Sequence, residues 1–254
     1  METKKRIIIA NWKMNPSTVE EERALLSKEL ENINFNGELV IAPPFVYLTD
    51  TNIQNLRVKN IKLGAQDVFW KDEGAYTGEI SPKMLKDFGV EYVIISHSER
   101  RKYLNETDEA INRKVLASLE DGLNVVLCVG EDLGTRQLSK EVVEEFIKNQ
   151  LQNDLKGLPA DGSQKSKIII AYEPIWAIGT KVSDNPNDAA EMIKFIKNIL
   201  NSELHISNTA VLYGGSVNAE NIKSFVEKEE IDGFLVGQAS LNPDEFKKII
   251  GVLS

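Results

Sequence analysis

Lys167-Ile168-Ile169-Ile170-Ala171-Tyr172-Glu173-Pro174-Ile175-Trp176-Ala177-Ile178-Gly179-Thr180 is the stretch whose reading decides the fold. Its first half is a short, β-branched apolar run without alternation, the pattern of a strand buried on both faces. Glu173 stands where the run stops. Pro174 biases Glu173 towards extended backbone and keeps a helix from starting there. A mostly apolar segment then leads to Gly179 and Thr180. Bounded by Pro and Gly and placed just after a carboxylate, it has the make-up of a hinged lid over an acid/base site. A surface glutamate followed by an ordinary loop is the plainer alternative. An exposed loop has little reason to carry Ile175, Trp176 and Ile178 together, which favours the lid.

The same pattern, an apolar run ended by polar residues, recurs along the chain. Strands are predicted at residues 6–11, 39–42, 61–65, 92–95, 125–129, 167–172, 210–213 and 234–236. Helical signals lie between them. Ser17 with Glu20 reads as a capping box before a helix whose apolar face is Val19, Leu26 and Leu30. Residues 45–53 look helical, and Ser81-Pro82 supplies a cap and a first-turn proline. Residues 106–121 form an acid-rich, then apolar helix stopped by Gly122. Val143, Ile147, Leu151 and Leu155 lie four apart on one helix face. Asn185-Pro186 with Asp188 starts another helix, and Asn242-Pro243 caps a last one carrying Phe246, Ile249, Ile250 and Leu253. Eight strands alternating with helices predict a parallel sheet. Eight such units in 254 residues fit one closed (β/α)8 TIM barrel domain spanning residues 1–254, with catalytic residues at the C-terminal strand ends. Asn11, His97, Glu173 and Ser216 lie at or just past strand ends. The rival, an open doubly-wound sheet, calls for a Gly-rich turn after the first strand, and Asn11-Trp12-Lys13 is not one.

Composition narrows the partners. One cysteine, Cys128, allows no intrachain disulfide, and two histidines, His97 and His205, make no Cys/His metal constellation. The net charge of −9 argues against nucleic acid and requires any anionic substrate to be attracted locally. Apolar runs fall far short of the roughly 18 residues that span a membrane. Met1 to Arg6 leads straight into Ile7-Ile8-Ile9, without a signal-peptide pattern. A cytoplasmic, metal-free protein with neither membrane nor nucleic-acid partners is expected.

Glu173 is the candidate base. His97 is the candidate electrophile, against the alternative of a structural histidine satisfied by backbone. Near a helix N-terminus its neutral imidazole is favoured. Lys13, between Trp12 and Met14, is read as a fixed positive charge held inward, against the alternative of a solvated surface lysine; Glu99 could hydrogen-bond it. Gly179, Ser216, Gly237 and Gln238 could offer backbone N–H groups to a phosphate, as barrels do after their last two strands. Gly214-Gly215-Ser216 alone could equally be a turn. Cys128 is read as a packing thiol.

Taken together, Asn11-Trp12-Lys13-Met14-Asn15, Ser96-His97-Ser98-Glu99-Arg100-Arg101, Ala171 to Thr180, Tyr213-Gly214-Gly215-Ser216 and Asp232-Gly233-Phe234-Leu235-Val236-Gly237 resemble the triosephosphate isomerase family, in order from first strand to last. The resemblance implies interconversion of dihydroxyacetone phosphate and glyceraldehyde 3-phosphate in glycolysis and gluconeogenesis. It implies Glu173 as base, His97 as hydrogen-bond donor to an enediolate, Lys13 as counter-charge, Asn11 as a further hydrogen-bond partner and no cofactor. It also implies a homodimer in which the loop Gly74-Ala75-Tyr76-Thr77-Gly78-Glu79 enters the partner near its active site. The family commonly has a second glycine where this chain has Gln238; a backbone N–H survives that change, a glycine-only backbone angle would not. Two other readings remain. Another phosphate-binding barrel enzyme calls for a Schiff-base lysine or a metal cluster, and neither is seen. A non-catalytic phosphate-binding barrel protein would have lost Glu173, His97 or Lys13.

Overall fold

The computed structural model describes residues 4–253, apart from 30–32, 34, 51–52, 54–60, 160–161, 163 and 179–183. Eight parallel strands close into a barrel in sequence order: β1 (Ile7–Asn11), β2 (Glu38–Ala42), β3 (Lys62–Ala65), β4 (Tyr92–Ile95), β5 (Asn124–Val129), β6 (Ile168–Tyr172), β7 (Val211–Tyr213) and β8 (Gly233–Val236). β8 returns to β1 with Ile8 opposite Phe234 and Ile9 opposite Leu235. Each strand matches its sequence expectation to within a residue or so. The reason is the one the sequence offered: strands buried on both faces need continuous apolar runs.

Strand alternation sorts the apolar residues into two cores. Ile9, Val40, Tyr92, Ile94, Val126, Cys128, Ile169, Ala171, Leu212 and Leu235 form one cluster, the barrel interior. Ile8, Ala10, Val93, Ile95, Val125, Leu127, Ile168, Ile170, Tyr172 and Phe234 join the other, which includes the buried faces of the helices. On this alternation Asn11 continues the inward set of β1 and Glu173 that of β6. Cys128 is buried and free, the packing thiol expected, and burial beside Glu173 pushes it well above the ordinary thiol range.

Among the described residues the helices with defined bounds are α1 (Val19–Glu29), α2 (Pro82–Asp87), α3 (Ser98–Leu104), α4 (Asp108–Glu120), α5 (Leu133–Arg136), α6 (Lys140–Asp154), α7 (Pro186–Ser202), α8 (Ile222–Val226) and α9 (Pro243–Leu253). Most expected caps are present. Ser81 accepts from the Met84 N–H, and Asn185 precedes Pro186 at the start of α7. Val143, Ile147 and Leu151 bury one face of α6, and Phe246, Ile249, Ile250 and Leu253 one face of α9. Two readings need correction. The cap of α1 is Thr18, whose Oγ1 accepts from the Glu21 N–H at 3.2 Å, while the Glu21 carboxylate accepts from the Ser17 N–H. Of the expected apolar face, Leu26 is buried, with Leu25 beside it, while Val19 is exposed; Leu30 lies outside the described residues. Residues 51–52 lie outside the described residues and Ile53 is helical, while the start of the helix expected over residues 45–53 is a 3-10 turn, Phe45–Tyr47. Pro44 has no N–H to extend it backwards. No described helix is long and apolar enough to cross a membrane.

Alpha-1 also carries a misfit. Glu22 is fully buried, and neither carboxylate oxygen has a hydrogen-bond partner among the described residues. Burial, with Asp50 adding to it and Arg23 opposing, pushes its carboxyl up to about 7 from an ordinary 4.5. A raised folded-state value means the folded protein binds the proton more tightly. The stability this group contributes is complete below the unfolded value and is lost as pH rises through about 7. Glu22→Gln removes the titration. Thermal melts should show the variant more stable than the parent at pH 8, by about 2–4 °C for each kcal/mol recovered, and little different at pH 5. Equal melting temperatures for the two proteins at pH 8 would contradict this.

Candidate active site

Glu173 sits one residue beyond β6, held by its N–H to the Val129 carbonyl at 2.7 Å. It is 2% exposed. Its carboxylate accepts from the Ser98 N–H through Oε2 at 3.0 Å, and Oε1 lies 3.2 Å from His97 Nε2. Two glycines make room for it. A Cβ on Gly130 would fall 1.7 Å from the Glu173 carbonyl oxygen, and one on Gly214 would lie 2.9 Å from Glu173 Cγ. Side chains at either position would push the carboxylate's backbone or stem aside.

His97 caps α3, and its Nδ1 accepts from the Glu99 N–H at 3.3 Å. With Nδ1 used as an acceptor, the ring proton belongs on Nε2, aimed at Glu173. Lys13 has a positive φ of 54°. Its N–H donates to Asn11 Oδ1 at 3.0 Å, and Nζ pairs with Glu99 Oε1 at 2.6 Å. Gln66 at the end of β3 donates to the carbonyls of both Lys13 and Ala42, tying the loop after β1 to β2. Gly237 leaves space for the lysine, since a Cβ there would meet Lys13 Cε at 3.2 Å.

Ser216 follows β7, and its hydroxyl donates to the Ala177 carbonyl at 2.5 Å. Gly237 precedes the 3-10 turn Gln238–Leu241, whose first N–H groups have no acceptor within the turn itself. Gln238 is not among the positive-φ residues, so the backbone there does not require glycine. Asn11, Lys13, His97, Glu173, Ser216, Gly237 and Gln238 line one cavity of about 480 Å³ at the C-terminal mouth of the barrel. Glu99 lines it too. Gly179 lies outside the described residues.

The segment after Glu173 runs from Pro174 into a 3-10 turn, Ile175–Ala177. Trp176 donates its indole N–H to Glu131 Oε1 at 3.1 Å, and the Tyr172 hydroxyl does the same at 3.1 Å. Arg136 stacks over Trp176, 5.3 Å from the ring centroid. Burial pushes the Glu131 carboxyl up, against these donors and Arg136. Sequence reasoning passed over Glu131, Gln66 and the Ser98 N–H. Glu131 obeys the strand-end rule that found the others, so that signal was available. A backbone N–H and an amide reaching across strands leave no pattern in sequence.

The arm Gly74 to Glu79 is exposed along its length. Tyr76 rests on Phe69 with ring centroids 4.7 Å apart.

The hydrogen bond to Nδ1 fixes a tautomer. Nitrogen NMR of labelled protein should give His97 the shifts of a neutral ring protonated on Nε2. A ring carrying its proton on Nδ1 would overturn this arrangement.

A family model described as Triosephosphate isomerase matches residues 6–253. A triosephosphate isomerase of Thermoanaerobacter pseudethanolicus is 46% identical over 248 residues, covering 96% of this chain and 98% of that one. Proteins of the same description from Dictyoglomus turgidum, 46% identical over 97% of this chain and 99% of its own length, and from Clostridium botulinum, 45% identical over 96% and 98%, are similar in the same way.

Proposed function

The chain belongs to the triosephosphate isomerase family, whose enzymes interconvert dihydroxyacetone phosphate and D-glyceraldehyde 3-phosphate in glycolysis, and from that premise we infer how its residues divide the reaction. Glu173 is the base; the observation that carries the reading is its buried carboxylate 3.2 Å from His97 Nε2 at the mouth of the barrel. Dihydroxyacetone phosphate loses a proton from C1 to Glu173. The C–H electron pair forms the C1–C2 double bond, and the carbonyl pair moves onto the C2 oxygen. His97 donates its Nε2–H to that oxygen, and the Lys13 ammonium neutralises the charge. The C1 hydroxyl proton passes to the C2 oxygen, Glu173 returns its proton to C2, and C1 becomes the aldehyde. The steps need a base, a donor and a fixed cation, and no cofactor.

Both carboxylate oxygens of Glu173 are engaged, by His97 and by the Ser98 N–H. A substrate carbonyl competes for the same His97 donor. Binding therefore frees the oxygen nearest the imidazole, and the base becomes available as the electrophile is engaged. Asn11 holds the Lys13 backbone through its Oδ1 and offers its amide N–H to substrate. The phosphate is gripped by backbone N–H groups of Gly179, Ser216, Gly237 and Gln238; the start of the turn Gln238–Leu241 supports this. Closure of the segment from Pro174 to Thr180 shuts out water and keeps the enediolate from expelling phosphate. Glu99 supports Lys13 as its ion-pair partner.

The protein acts as a cytoplasmic homodimer, serving gluconeogenesis as well as glycolysis. What supports the dimer is a run of exposed apolar side chains following consecutive strands: Met14 after β1, Val46 after β2, Tyr76 after β3, and Tyr103 and Leu104 after β4. Such a patch calls for a partner, and a second copy docking by a two-fold axis buries both arms together.

Glu173→Gln keeps the shape and one of the two acceptor oxygens but cannot accept the proton. In a coupled isomerase assay its kcat should fall by at least the roughly 10²–10⁴-fold of general-base catalysis, with the fold intact by circular dichroism. Turnover near the parent's would sink the assignment. Sedimentation at micromolar concentration should give a dimer; a fully active monomer would refute the arm's role.

A further inference from the structure

Strand alternation puts His97 on the wrong side. Tyr92 and Ile94 of β4 point into the barrel, and Val93 and Ile95 pack outward. A strand continued straight would send His97 outward with Val93 and Ile95, away from Glu173. The imidazole is nonetheless 3.2 Å from the Glu173 carboxylate. The residue between is Ser96, whose φ is +69°. Left-handed backbone at a non-glycine residue costs on the order of 1 kcal/mol and persists only where the surroundings impose it.

The surroundings are on hand. Ser96 is 1% exposed. Its hydroxyl donates to the Cys128 carbonyl of β5 at 2.8 Å and accepts from Arg101 Nε at 2.7 Å. Arg101 is held at its other nitrogens by Asp108 of α4 and by Asp154 of α6, the latter at 2.6 Å. Asp154 is fully buried. A planar guanidinium spread over three acceptors is a rigid fork that a lysine cannot reproduce.

We propose that Ser96, clamped by Arg101 and through it by Asp154, is a positioning residue that turns His97 inward to Glu173. Resting on His97 as the electrophile, the assignment makes part of the α3 motif a device for the strand exit. Arg101 touches no substrate. It acts by fixing one hydroxyl, which fixes one backbone angle, which aims one ring.

The test is a double-mutant cycle in steady-state kinetics. Ser96→Gly accepts a positive φ without strain and removes only the clamp. Its kcat should fall between about tenfold and 10²-fold, the scale of a small misplacement of a reacting group, with KM within about twofold. Arg101→Lys should lose kcat in the same direction, and it decides the matter if Ser96→Gly does not fold. In the His97→Gln background the Ser96→Gly loss should be smaller, because there is no imidazole left to aim. An unchanged kcat in folded Ser96→Gly, or an equal loss in both backgrounds, overturns the inference while leaving His97 in its role. Parent-like turnover in His97→Gln alone is a separate result: it removes the electrophile assignment and this inference with it.

Discussion

A carboxylate buried at the mouth of an apolar barrel constrains everything around it. Glu173 is out of water, and an unpartnered charge there would cost several kcal/mol. The fold meets that cost with two donors, the His97 ring and the Ser98 N–H. Both come from β4 and the start of α3, two strands away from β6 in the ring. The carboxylate therefore depends on the packing of three neighbouring strands, β4, β5 and β6, which sets the ends of β4 and β6 on either side of β5. The donors also differ in kind. The backbone N–H at the start of α3 is fixed, while the imidazole is a donor that a substrate oxygen can claim. The bond that stabilises the resting carboxylate is thus one that the reaction can exchange.

Much of this was legible in the chain. Apolar runs fixed the strands because a strand covered on both faces has no polar face to write. Asn11, His97, Lys13, Glu173, Ser216, Gly237 and Gln238 were readable as strand-end residues, and they do gather around one cavity. The failures have local causes. At α1, two adjacent hydroxyl residues, Ser17 and Thr18, each stand three residues before a glutamate. Sequence cannot say which caps, and the choice moves the start of the helix by one residue. At the start of residues 45–53 apolar content suggested a helix where Phe45–Tyr47 makes a 3-10 turn. Arg101 and Gln66 were illegible as parts of the site, since each acts through an acceptor or donor on a different strand or helix, while Glu131 stood at a strand end and could have been read.

Net charge gives a second constraint. A protein at −9 repels the dianion it must bind, so the attraction has to be local. Lys13 supplies it, but its Nζ is spoken for by Glu99 at 2.6 Å. The pair is partly exposed, which keeps its strength modest. A looser pair holds the ammonium in position without cancelling its field in the cavity. Gly237 fits the same logic: with no Cβ it lets the lysine stem pass at the rim, where the turn Gln238–Leu241 presents its first N–H groups.

The lid obeys the rule that governs Glu173. Trp176 is tied to Glu131 and the Ala177 carbonyl to Ser216. Trp176 is half-buried and Ser216 faces the cavity, while Glu131 is fully buried. A bond between neutral groups contributes about 0.5–1.5 kcal/mol net of solvent and one to a carboxylate about 1.5–3 kcal/mol, so the tie to Glu131 is the firmer of the two. Ser216 sits at the crossing of both demands. Its hydroxyl holds the segment after Glu173, and on the proposed reading its N–H serves the phosphate, so the two functions would use different atoms of one residue. A ligand that takes the N–H and shifts the loop after β7 also disturbs the hydroxyl's hold on Ala177. Phosphate binding and lid release are then coupled through a single short loop, with no need for a longer path across the barrel.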